Sequence, residues 1–219
     1  MSLKVYTYSD RSESMETKSM PQLIIERMQE TAYCTIYTNS DFIDLGNQQV
    51  IKKALSRLVN NNKVHRILDG FYTIPFYSKV IEEYSYPTVD QLANKIAEKF
   101  SWNISLSGES TLNLLGISTQ VSNNYEYISD GPYREYEYRG NTITFKHTSN
   151  RTISSFSKEL SILIQGIKIL GEQNITNDVI MRLSIYCRKH IKEDIVKDTK
   201  QIPSWIYEVL RKISEVNHE

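Results

Sequence analysis

Residues 47–60 read Asn-Gln-Gln-Val-Ile-Lys-Lys-Ala-Leu-Ser-Arg-Leu-Val-Asn, and no other stretch restricts the fold so tightly. Ile51, Ala54, Leu55, Leu58 and Val59 recur at the i, i+3, i+4, i+7, i+8 spacing of one buried helix face. Asn47 can cap the start by accepting a bond from a free backbone N–H. The remaining faces carry Gln48, Gln49, Lys52, Lys53, Ser56 and Arg57, all donors or cations and none a carboxylate. Just before lies residues 39–46, a short predicted helix with a polar cap and the stop Gly46. Just after, 64–68 and 71–74 flank Asp69-Gly70, a dipeptide suited to a two-residue hairpin because Gly accepts positive φ. Helix, tight turn, helix and β-ribbon is the order of a winged helix-turn-helix, and the stretch reads as a DNA-binding element.

Charge supports that reading. The protein as a whole is neutral, with 26 basic and 26 acidic residues. Residues 47–79, however, hold Lys52, Lys53, Arg57, Lys63, Arg66 and Lys79 against Asp69 alone. Neutralising phosphates needs such a concentration of cations on one surface. A solvated helix face is the plainer explanation of a charge cluster, but six cations against one anion on a helix and a ribbon favour the DNA reading.

The 219 residues have room for two small domains. Residues 1–19 are polar and aperiodic, a predicted arm. Residues 20–79 form the expected winged helix. Its first helix opens near Pro21 with a stripe of Leu23, Ile24, Arg27 and Met28, and a short β-branched strand runs over 34–38. Residues 78–87 read as a connector. Residues 80–219 read as a mixed domain with a helical tail, so the expected class is α+β. There, Thr88 opens a helix with a capping-box spacing to Gln91, and Val89, Leu92, Ala93, Ile96, Ala97 and Phe100 line one face. Strands are expected over 102–106, 125–129, 133–138 and 142–147, the last two turning at Gly140-Asn141, with a short helix over 109–115. Ile143, Phe145 and His147 share one face of the final strand. Three helices follow, marked by Leu160 to Leu170, by Val179 to Cys187 behind the cap Thr176, and by Trp205 to Ile213 behind Ser204. Fifteen tyrosines, several within 125–138, fit either a binding surface or ordinary sheet positions.

Signs of catalysis are missing from the sequence. His65, His147, His190 and His218 are scattered, Cys34 and Cys187 stand apart, and no phosphate loop or nucleophile elbow occurs. The expectation is a non-enzyme with no cofactor and no metal. No apolar run approaches the roughly 18 residues that cross a bilayer, so no membrane partner is expected, and two isolated cysteines fit a reducing cytoplasm. In a DNA complex, Gln48, Gln49 and Lys52, nearest the helix start, would reach base edges. Lys53 and Arg57 further along, with Lys63, His65 and Arg66 at the ribbon base, would meet phosphates, and Ser56 belongs to the same candidate DNA-binding set. Competing readings are a ligand-sensing regulator whose second domain is the pocket, and an RNA-binding module.

The run Ala54-Leu-Ser-Arg-Leu-Val59 leading to Val64-His-Arg-Ile-Leu-Asp-Gly-Phe-Tyr72 resembles the winged helix of AbiEi-type antitoxins, the regulators of type IV, abortive-infection toxin–antitoxin systems. Ser107-Gly108, Leu112-Asn-Leu-Leu-Gly-Ile-Ser-Thr-Gln-Val121, Ile128-Ser-Asp-Gly-Pro132 and Ile143-Thr-Phe-Lys-His-Thr148 extend the likeness, in order, through the second domain. Asn61-Asn62 departs from it where a glycine is expected, but Asn tolerates left-handed geometry. The resemblance implies a repressor of its own operon, with operator duplex as one partner. It also implies a C-terminal domain that counteracts a nucleotidyltransferase-type toxin without a tight complex.

Overall fold

A computed structural model describes residues 18–120, 122–149, 156–197, 199 and 202–218. The predicted arm therefore lies, up to residue 17, outside the described residues, as does Val121. Among the described residues the fold is mixed α+β with three sheets. The chain divides into two compact units, one ending at Tyr86 and the other beginning at Pro87.

In the first unit α1 (Met20–Gln29) starts at a capping box, the Gln22 Oε1 accepting from the Ser19 backbone N–H at 2.8 Å. β1 (Ile36–Tyr37) follows, then a 3₁₀ turn over Asn39–Leu45. α2 (Gln48–Asn60) has its predicted cap, with the Gln49 N–H donating to Asn47 Oδ1 at 2.8 Å. β2 (His65–Leu68) and β3 (Phe71–Thr73) close around Asp69-Gly70, and Gly70 takes φ 74°. β1 pairs antiparallel with β3, giving the sheet order β1-β3-β2. Ile24, Met28, Tyr37, Phe42, Ile51, Leu55, Leu58, Val64 and Tyr72 meet in one core. Arg27 ties α1 to the 3₁₀ turn. Its guanidinium donates to both carboxylate oxygens of Asp44, at 2.6 and 2.7 Å, and to the Asp41 carbonyl at 3.1 Å.

The connector expected over 78–87 is largely a second hairpin, β4 (Phe76–Ser78) with β5 (Glu83–Ser85). Its bend has neither glycine nor asparagine. Glu82 supplies the left-handed residue at φ 53°, which is why the turn escaped a reading based on turn-forming residues.

The second unit opens with α3 (Val89–Phe100), capped at Thr88 as predicted. Phe100 does not line the buried face. It is exposed and stacks on Trp102 at 5.0 Å. β6 (Ile104–Ser107), α4 (Glu109–Leu114), β7 (Asn124–Ser129), β8 (Arg134–Tyr138) and β9 (Asn141–His147) follow. The sheet order is β6-β7-β9-β8, with β9 parallel to β7 and antiparallel to β8. The loop joining β8 to β9 is Arg139-Gly140, at φ 50° and 76°, one residue earlier than the predicted Gly140-Asn141. Two positive φ values fit a primed turn, whose twist matches that of the strands. Tyr127 and Tyr138 are core residues. Burial and the neighbouring Asp90 carboxylate push the Tyr127 phenol far above its usual range, and its hydroxyl donates to Asp90 Oδ1 at 3.2 Å. His147, expected inward, is exposed at the strand end, with Nδ1 2.9 Å from the Gly131 carbonyl oxygen.

α5 (Lys158–Leu170) is buried all round from Leu160 to Ile167, as a helix at the centre of its unit must be. It packs on β6 and α4. A Cβ at Gly166 would stand 2.0 Å from Leu115 Cδ1, so a larger residue there would require the buried Leu115 side chain to shift. α6 (Asn177–His190), capped by Thr176, packs against α7 (Ser204–His218). Burial raises the Cys187 thiol above its ordinary value, as suits a core residue.

Candidate nucleic-acid interface

The solvent side of α2 follows directly from how its other side is held. Ile51, Ala54, Leu55 and Leu58 are buried, so helical periodicity turns Gln49, Lys53, Ser56 and Asn60 to the opposite side, with Lys52 and Arg57 on its flanks. Gln48, Gln49, Lys52, Lys53, Ser56 and Arg57 are all exposed. Among the described residues, Lys52, Lys53, Arg57 and Lys63 have no carboxylate partner. Four side-chain cations are thus held within a few turns of each other without internal neutralisation. Gln48 sits nearer the margin of the buried face than Gln49.

The exit from α2 is fixed by backbone geometry. Asn62 adopts φ 54°, the Lys63 N–H donates to the Leu58 carbonyl at 2.9 Å, and the Asn62 N–H to the Val59 carbonyl at 3.0 Å. This pair of bonds is a Schellman closure, and it sets where the chain leaves the helix for β2. Lys63 lies in that turn, exposed. Arg66 is exposed on β2 and 3.5 Å from Asp69, an open pair at the ribbon tip with little holding power.

His65, expected at a phosphate, also has partners within its own unit. It is half-buried, its Nδ1 is 3.0 Å from the Tyr86 hydroxyl, and its ring lies 5.9 Å from Tyr84 and 5.7 Å from Tyr86. The histidine therefore joins the first ribbon to the β4–β5 hairpin. Sequence reasoning missed these aromatic partners. The signal was present in the spacing Tyr84-x-Tyr86 after Phe76-Tyr77, aromatic residues at strand periodicity. Asn60, at the centre of the exposed face, also went unmarked; its place there follows from the 3.6-residue period once the buried set is known.

Among the described residues, no group of three or more His, Cys, Asp and Glu side chains could hold a metal ion, and no helix is long and apolar enough to cross a membrane. The sequence matches, over residues 23–213, the family described as Family of unknown function (DUF6088). No curated protein matches it significantly.

Proposed function

The chain belongs to the DUF6088 family, of unknown function, and we propose that its first unit is a winged helix-turn-helix that binds double-stranded DNA through α2. The observation that carries this reading is the exposed side of α2. It presents amides, a hydroxyl and unpaired cations on a helix whose opposite side is anchored in the core. An exposed helix evolved only for solubility has no need to exclude carboxylates from that whole side. Thirteen residues give a rod about 20 Å long, which the major groove admits. The β2–β3 ribbon, beginning two residues after Lys63, would be the wing. Gln49 can pair with adenine, a contact worth roughly 1–3 kcal/mol of base discrimination, whereas Lys53 and Arg57 serve phosphates.

At the level of biology, the reading is a type IV antitoxin that represses its own operon and opposes a nucleotidyltransferase-type toxin. Its support is the likeness to AbiEi-type antitoxins, which runs in order from about Ser40 to the C-terminus. The test is titration of the full chain with duplex from upstream of its own gene and with random duplex, at two salt concentrations. Gln49→Ala should narrow the gap between the two duplexes. Arg57→Ala should weaken both alike and lower the salt slope by about one. Parent-like binding by the double variant Lys53→Ala, Arg57→Ala would show that α2 is not the reading helix.

A further inference from the structure

We propose that the β4–β5 hairpin is a self-association surface through which two copies of this chain form a two-fold dimer. Its strands pair as Phe76 with Ser85, Tyr77 with Tyr84 and Ser78 with Glu83, and neither has a second strand neighbour among the described residues. A lone hairpin of this length is marginal in water. This one is held to its unit by side chains. The Tyr84 ring lies 4.9 Å from Tyr77 and 5.9 Å from His65, Tyr33 lies 5.5 Å from Phe76, and the Cys34 thiol donates to the Ser85 carbonyl at 3.2 Å. The hairpin is thus preorganised, yet its apolar groups are not covered. Val80 at the bend is 92% exposed and Ile81 62%, while Tyr33, Phe76, Tyr77 and Tyr84 range from 45% to 63%. Only Ile43 and Val50 join them among the exposed large apolar side chains of the unit's described residues.

Tyr77 and Tyr84, cross-strand partners, share one face of the hairpin, whereas Phe76 and Tyr33 lie on the other. With about 200 Å² for a whole aromatic side chain, the exposed parts of Tyr77 and Tyr84 together with Val80 and Ile81 at the bend amount to on the order of 400 Å², within the range of a monomer's largest apolar patch. The charges point to a second copy in particular. The bend carries Lys79 on one side and Glu82 and Glu83 on the other, and none of the three has an ion-pair partner among the described residues. A two-fold axis sets residue i against j and j against i, so each hairpin holds both halves of its own salt bridges. Two carboxylates beside one ammonium would repel a phosphate chain. Dimerisation would set a second α2 at a fixed distance from the first, but it does not depend on DNA.

Sedimentation of the full chain without DNA tests this directly. The parent should run at twice its 25.5 kDa monomer mass. Val80→Asp, at a side chain too exposed to matter for folding of the protomer, should run as monomer and still unfold cooperatively, its melt no longer depending on concentration. Lys79→Glu should weaken association at least tenfold, and adding Glu82→Lys and Glu83→Lys should restore it. A parent that stays monomeric at every concentration overturns the proposal and leaves the patch to an unlike partner. So does a Val80→Asp variant that remains dimeric. Neither outcome bears on duplex binding, which is measured separately.

Discussion

Asn62 carries a conformation that most side chains resist. At φ 54° a β-branched residue meets its own carbonyl, a cost of roughly 1–2 kcal/mol, whereas Asn relieves part of it and Gly feels none. Asn62→Val should therefore lower the stability of the first unit by about that amount, and Asn62→Gly should leave it level or slightly higher. Urea unfolding followed by tyrosine fluorescence reads both variants; equal midpoints for Asn and Val would refute the account. This position was legible beforehand, since Asn61-Asn62 stood where a left-handed residue was needed. His65 was not. Its neighbours in sequence are Val64 and Arg66, and only the return of the chain at Tyr84 and Tyr86 shows that its ring is already engaged.

Elements that declare themselves by period and cap were readable: α2 from Asn47, α3 from Thr88, α6 from Thr176. Those defined by partners were less so. The β4–β5 hairpin lacks turn residues, Phe100 turned out to stack on Trp102, and the β8–β9 loop moved because Arg139 takes the positive φ beside Gly140. The join between α1 and the 3₁₀ turn could not be foreseen either, because Arg27 and Asp44 are distant in sequence. The guanidinium bonds hold the Asp44 carboxyl below its ordinary 3.8. A depressed folded value means that the contribution is fully present above the unfolded value and drains as pH falls through the folded one. Asp44→Asn should thus melt below the parent at neutral pH, and the gap should close as pH drops below about 4. A gap unchanged from pH 7 to pH 3 would show that the carboxylate charge plays no part.

For the molecule as a whole, the division falls between two anchored residues. Tyr86 is bonded to His65 in the first unit, and the Pro87 carbonyl accepts from the buried Tyr138 hydroxyl in the second at 2.8 Å. Each unit has its own core, so residues 87–219 expressed alone should melt cooperatively. On the proposed reading, that fragment should also restore growth to cells carrying a nucleotidyltransferase-type toxin while losing duplex binding; a non-cooperative melt would refute the division. The mixed class was legible because hydrophobic period changes along the sequence, but strand order depends on pairings no local pattern encodes. Strand β9 illustrates what that order demands of a chain being synthesised. β7 can pair with β6 as soon as it emerges, yet its other edge stays open until the chain has made β8 and turned back. A β8–β9 hairpin is a local pairing of the kind that forms within microseconds, but β9 reaches β7 only after the intervening strand has been made. Until then the edge of β7 that β9 covers offers unpaired backbone groups, the kind of edge on which strands can pair wrongly.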